Sequence, residues 1–274
     1  MTDSRFALIG PGRLGLRLVA RLQERGWSCV AVRGRRQISD RLREQFAAGT
    51  LCDTWSAPAG WVPPRVVFAT VPDDAIATVA VRLADAFDLT DSVVLHTSGL
   101  HGAALLDPCR ARGARVGSWH PLQSFPALTA GPVRWDDVWC AVEGDPEAVR
   151  IGTDLATELG LNPWRIAAHD KIRYHAAASV AANLTHILVA EAARVLSSCG
   201  LPQGDGEHPL WPLVETSLRA ALREPGLAHL SGPLARGDSA TVACHLQVLS
   251  EPLGEAYRAL AKVVRAARSR VGEG

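Results

Sequence analysis

One segment limits this chain more than any other: Gly10-Pro11-Gly12-Arg13-Leu14-Gly15. It follows a short apolar run at 6–9 and opens LRLVARLQERG, whose apolar residues recur at helical spacing; a second apolar run stands at 29–32. Strand, tight turn, helix and strand in that order make a βαβ unit. Each glycine has its own task. Gly10 permits the turn, Gly12 lets backbone approach a pyrophosphate, and Gly15 lets the helix pack closely on the strand. The free N–H groups and positive partial charge of a helix start suit phosphates. Gly10, Pro11, Gly12, Arg13, Leu14 and Gly15 are therefore expected to cradle a dinucleotide.

The end of the second strand selects the cofactor. An Asp or Glu there would bond the adenosine ribose hydroxyls, but this chain has Arg33-Gly34-Arg35-Arg36 and no acid until Asp40. Guanidinium groups attract a 2′-phosphate, so Arg33, Arg35 and Arg36 point to NADP(H). Val71-Pro72-Asp73 ends the apolar run at 66–71. Val71 and Pro72 are expected to border the cofactor crevice, and Asp73 to cap the following helix.

Further apolar runs at 92–96, 115–119 and 138–142 alternate with helical or turn-rich stretches. This alternation predicts an α/β fold with a doubly wound, mostly parallel sheet. Beyond about residue 165 the pattern becomes helical. Residues 170–198 read as one long Ala-rich helix, and 213–223, 239–249 and 253–267 as three more. The expected organisation is a Rossmann domain over 1–167 and an all-helical domain over 168–274.

With Lys+Arg 29 against Asp+Glu 28, the net charge of +1 gives no support for a nucleic-acid or membrane partner. The six cysteines are widely spaced, which predicts reduced thiols, no metal site and a cytoplasmic setting. No signal peptide is expected at the start, MTDSRFALIGPG. The apolar stretch 176–193 is interrupted by Ser179, Asn183, Thr185, His186 and Glu191, which argues against a membrane span.

Chemistry is expected where strands end. His96-Thr97-Ser98-Gly99 follows one strand and Trp119-His120-Pro121-Leu122-Gln123-Ser124 the next. His120, fixed before a proline, suits proton transfer. Lys171 and Lys262 are the only lysines; Lys171 opens the long helix with Tyr174 and His175 at i+3 and i+4, and Asn183 two turns further on roughly the same side. An ammonium there can polarise a carbonyl and give it a proton. Arg236, in Gly232-Pro233-Leu234-Ala235-Arg236-Gly237-Asp238, can hold a carboxylate in a bidentate pair, or simply stand in a turn where Asp238 caps the next helix.

The ordered set GPGRLG, VPDDAI, HTSG, GSWHPLQSF, KIRYHAAASVAAN and GPLARGD resembles Rossmann-like proteins with a C-terminal domain of unknown function, number 2520. That group is similar to the wider 6-phosphogluconate-dehydrogenase-like superfamily, with ketopantoate reductase, pyrroline-5-carboxylate reductase and prephenate dehydrogenase among its members. The resemblance places Lys171 where β-hydroxyacid members carry a catalytic lysine, though His175 replaces the Asn expected four residues on. His120-Pro121-Leu122 resembles the H-P-M segment of prephenate dehydrogenases, and Ser98 their substrate-binding serine. It also implies a homodimer through the helical domain.

The resulting expectation is an NADPH-dependent oxidoreductase acting on the carbonyl of a small 2-oxo acid, with ketopantoate the first candidate. Lys171 and His120 are the rival proton donors; Ser98, Gly99, Ser124, Tyr174, His175, Asn183 and Arg236 would orient the carboxylate-bearing substrate. An imine or pyrroline-carboxylate reductase and a prephenate-type dehydrogenase are the alternative chemistries. A regulator that senses NADPH without catalysis is the alternative of another class.

Overall fold

The computed structural model describes residues 4–34, 51–52, 54–57, 60–128, 131–200, 208–223 and 227–271. It divides into two compact units, Met1–Ala181 and Ala182–Gly274. Seven strands form the sheet of the first unit: β1 Arg5–Ile9, β2 Ser28–Arg33, β3 Val66–Ala69, β4 Val93–His96, β5 Arg115–Pro121, β6 Trp139–Gly144 and β7 Asn162–Arg165, in the order β2-β1-β3-β4-β5-β6-β7. All neighbours pair in parallel except β5 and β6, where Pro121 lies opposite Cys140. From β1 the chain first moves outward to β2 and then returns to the other side at β3. The carboxyl ends of β1 and β3 thus flank the switch point where open α/β sheets bind ligands.

Helices on both faces make the sheet's core. α1 (Arg13–Glu24) buries Gly15, Leu18, Val19 and Leu22, a helical stripe at i, i+3, i+4 and i+7. α2 (Ile76–Ala86) buries Ile76, Val79, Ala80 and Leu83 at the same spacing. The short α3 (Asp107–Arg110) follows, and α4 (Pro146–Glu158) starts with Pro at its first position. Alternate residues of β1 serve opposite faces: Phe6 and Leu8 pack with Leu18, Trp119 and Leu155, while Ala7 and Ile9 pack with Ile76, Leu83 and Leu106. Complete burial of Phe68, Leu95 or Leu8 is worth about 1.5–3 kcal/mol each, which is why the central strands read as unbroken apolar runs.

The expected long helix is interrupted. It consists of α5 (Lys171–Ser179), a π-helical turn Val180–Leu184, and α6 (Thr185–Ser197). The run Ala168–Ser197 contains a stretch long and apolar enough, by length and composition alone, to cross a membrane. Its first turns nevertheless bury Lys171 and Tyr174 within the first unit. That packing also carries the first unit as far as Ala181, beyond the 167/168 boundary read from the sequence. The second unit continues with α7 (Trp211–Ala221), α8 (Pro233–Arg236), α9 (Ser239–Val248) and α10 (Glu251–Val271).

Candidate functional site

The glycine turn is built around backbone contacts that side chains would spoil. Gly10 has φ +95°, and a Cβ there would lie 2.7 Å from the Thr70 carbonyl oxygen. A Cβ on Gly15 would lie 2.5 Å from the Gly10 oxygen. The Gly10 N–H donates to the Arg33 carbonyl at 2.8 Å, and Thr70 Oγ1 donates to the Gly10 carbonyl. Thr70, unmarked in the sequence reading, therefore locks β3 to the turn. Gly12 differs: a Cβ would meet only the Gly10 oxygen at 4.0 Å, so its missing side chain leaves open space at the start of α1. Pro11 and Leu14 are half-buried and Arg13 exposed.

Across the switch point, Val71 is half-buried and Pro72 exposed. Asp73 makes no capping hydrogen bond, contrary to expectation, because it opens a 3-10 turn after Pro72; its carboxylate stands 4.0 Å from His101 Nε2. Arg33 ends β2 half-buried, with a buried Nε that has no hydrogen-bond partner among the described residues. Arg35 and Arg36 lie outside the described residues.

At the ends of β4 and β5, six expected residues come together: Ser98, Gly99, His120, Lys171, Tyr174 and His175. Lys171 is completely buried. Its Nζ donates to the Ser98 carbonyl at 3.0 Å and to Ser118 Oγ, so it ties the two strand ends together. Burial pulls its pKa from 10.5 down to about 8, with the Glu143 and Asp73 carboxylates opposing the shift. The Ser98 hydroxyl oxygen accepts from the N–H groups of Leu100 and His101, shaping the loop from within. His96, fully buried, engages the Gly102 carbonyl through Nε2 and accepts from the Ser98 N–H at Nδ1. Glu143 Oε2 accepts from the Ala103 N–H at 2.8 Å. Every turn of the loop 96–103 is thus pinned, by His96 and Glu143 as much as by the residues singled out from sequence.

His120 Nδ1 lies 2.7 Å from the Tyr174 hydroxyl. Burial lowers the His120 pKa to about 4, assisted by the Lys171 charge and His175, and burial raises that of Tyr174. The pair is neutral near pH 7. Gly99 faces it closely: a Cβ would stand 2.7 Å from His175 Cδ2 and 2.9 Å from His120 Nε2.

The remaining expected residues are elsewhere. Ser124 is exposed, its N–H donating to Gln123 Oε1. Asn183 is exposed in the π turn. In the second unit Arg236 is exposed at the end of α8, while Asp238 Oδ1 accepts from the Thr241 N–H at 3.0 Å and caps α9. Among the described residues no group of three metal-binding side chains converges.

Residues 138–264 match the family model Domain of unknown function (DUF2520). No curated protein matches the chain. Solved structures with the same fold include a protein assigned as an NADP oxidoreductase from Bacteroides fragilis: 21% identity, TM-score 0.79, covering 96% of this chain and 98% of that one. A protein from Thermotoga maritima is 26% identical, with TM-score 0.63 and coverage of 97% and 99%. A reductive aminase from Aspergillus terreus, in complex with NADPH and ethyl levulinate, is 18% identical, with TM-score 0.69 and coverage of 98% and 95%. Residues 138–264 are thus similar to the DUF2520 family, and the fold of the chain, a Rossmann-type sheet followed by helices, is that of these solved structures.

Proposed function

We propose that this chain is an NADP(H)-dependent oxidoreductase that reduces a polarised C=N bond. The residues present fit the cofactor. The open space at Gly12 leaves room for a pyrophosphate at the start of α1, and the Arg33 guanidinium, whose Nε has no partner among the described residues, suits a 2′-phosphate. Pro11 to Gly15 would hold the first and Arg33 the second. When bound, NADPH supplies the hydride.

The chain's own task is to orient the acceptor and deliver one proton. The neutral pair of His120 and Tyr174 carries this reading. With the Tyr174 O–H donating to Nδ1, the imidazole proton sits on Nε2, beside Gly99. With a neutral imine, reduction draws that proton to the substrate nitrogen and the phenol proton follows to Nδ1. The phenolate left on Tyr174 takes a proton back from solvent before the next turnover; a cationic iminium needs no proton. Lys171 supports rather than donates: its ammonium is enclosed beneath Ser98 and Ser118 and holds the loop that carries Gly99 against the imidazole.

A 2-oxo acid such as ketopantoate would bring a carboxylate, which needs a free cation. Among the described residues of the first unit, the ammonium at these strand ends, that of Lys171, is already engaged and buried, so an uncharged or cationic imine fits better. The likeness in fold to a reductive aminase agrees with this preference. NADPH consumption at 340 nm is the test, with cyclic imines, ketone–amine mixtures, 2-oxo acids and prephenate/NADP+ in separate arms. Turnover with imines is expected. Turnover confined to ketopantoate would overturn the C=N assignment; tight NADPH binding with no turnover in any arm would favour a sensor.

A second copy of the chain is the proposed partner. In the second unit the large side chains Leu184, Ile187, Leu213, Leu222, Val248 and Val263 are 50–88% exposed, whereas Ala261 and Val264 are buried. Helices with so little buried apolar surface need another surface to cover them. Sedimentation should give a dimer, and a stable monomer at micromolar concentration would refute it.

A further inference from the structure

Two guanidinium groups converge on Trp55. The Arg33 guanidinium carbon, at the end of β2, lies 5.6 Å from the centroid of the indole ring, and that of Arg82, on α2, lies 5.6 Å from it as well. Like charges gathered on one ring repel, and a cation–π contact at a partly exposed site compensates only modestly. Some arginines of this unit pair with carboxylates of the chain, Arg21 with Asp136, Arg110 with Asp145, and Arg150 with Glu147 and Asp154, while Arg17 is held by the Pro126 and Gly131 carbonyls. Among the described residues neither Arg33 nor Arg82 meets a carboxylate, and the buried Nε of Arg33 meets no acceptor. Among the described residues this pair of cations therefore has no anion, and one supplied from outside the chain would fit it.

Position identifies the anion. The Arg33 carbonyl accepts the N–H of Gly10, so the charged pair adjoins the glycine turn on the β2 side, where the adenosine half of a dinucleotide lies in a sheet of this order. A phosphate monoester carries close to two negative charges near neutral pH, which matches two guanidiniums better than one. A flat indole between long side chains also reduces the freedom each would lose on binding.

We propose that Arg82 and Trp55 join Arg33 in a clamp for the 2′-phosphate of NADP(H), Trp55 serving as the platform that orders both guanidiniums; this rests on the cofactor reading above. Arg82 is the decisive residue because it stands on the exposed side of α2, remote in sequence from both glycine turn and β2, and can be changed without disturbing the core.

The experiment is calorimetric titration of the full chain with adenosine 2′,5′-bisphosphate and, separately, adenosine 5′-monophosphate. Wild type should bind the bisphosphate more tightly. Arg82→Gln should weaken the bisphosphate at least about 10-fold, the effect of losing one charge-assisted contact, and leave the monophosphate unchanged. Trp55→Leu, which removes no charge, should weaken the bisphosphate in the same selective way. An unchanged bisphosphate affinity in Arg82→Gln overturns the clamp, as does an equal loss for both nucleotides. If wild type binds neither nucleotide nor NADPH, the cofactor reading itself fails and the clamp falls with it.

Discussion

Lys171→Met removes the charge at the centre of the site while keeping an unbranched side chain of similar length. The Lys171 ammonium is fully enclosed, and its pKa falls from 10.5 to about 8. At 1.36 kcal/mol for each tenfold change, the gap amounts to roughly 3 kcal/mol. Above pH 10.5 the amine is neutral in both folded and unfolded chains and its titration costs nothing. As the pH falls from 10.5 towards 8, the unfolded chain takes up the proton first, and folding stability is lost; below 8 the loss is complete. Relative to the methionine variant, wild type should therefore gain about 3 kcal/mol on moving from pH 7.5 to 10.5, or roughly 6–12 °C in melting midpoint for a unit of this size. Cysteine and tyrosine titrations occur in both proteins and cancel in the difference. At pH 7 two effects oppose. The variant is relieved of the buried charge, but Ser98 is left with only its 3.4 Å contact from Ser118, at a cost of roughly 1–3 kcal/mol. Parallel pH–stability curves for the two proteins, followed by tryptophan fluorescence in urea, would refute the burial argument outright.

Other perturbations separate folding from function. Gly12→Ala meets nothing nearer than 4.0 Å, so its melting midpoint should match wild type while NADPH fluorescence titration shows at least a ~10-fold loss of affinity, the scale of a contact to a charged group; normal binding would remove the glycine turn from the cofactor site. Gly99→Ala places a methyl 2.7 Å from His175 and 2.9 Å from His120 Nε2. Overpacking of that kind costs roughly 1–3 kcal/mol, and turnover should fall further than NADPH affinity. Burial lowers the His96 pKa from 6.5 to about 4, so the folded chain resists protonation and loses up to roughly 3 kcal/mol as pH falls from 6.5 to 4. His96→Gln should flatten that acid limb, and an unchanged limb in thermal melts would count against it.

The central sheet was readable because its strands are buried on both faces. VVFA in β3 and VVLH in β4 must be apolar throughout, and such runs stand out between helical patterns. β7 escaped detection for the opposite reason. Asn162-Pro163-Trp164-Arg165 lacks strand character, and Pro163 is admissible because β7 is the last strand of the sheet and pairs on one side alone. The π turn at Val180–Leu184 likewise leaves no mark in an Ala-rich helical pattern. Within the site, sequence spacing brought Lys171, Tyr174 and His175 onto one face but could not say how deep that face would sit. A lysine in the first turn of a helix is ordinarily solvated. Here Ser98 and Ser118, from two different strand ends, close over it, and only three-dimensional pairing of His96 with Ser118 across β4 and β5 makes that possible. Two signals were available and pass unnoticed in a linear reading: Glu143, a carboxylate at the end of the otherwise apolar strand WCAVEG, and His96, closing VVLH. A polar group inside a buried strand needs a partner. Following that rule from Glu143 to the loop at Ala103, and from His96 to Ser98 and Gly102, leads to the same small region as the lysine. The buried polar groups thus locate this site independently of the catalytic candidates, and they do so because each must satisfy its hydrogen bonds before any substrate arrives.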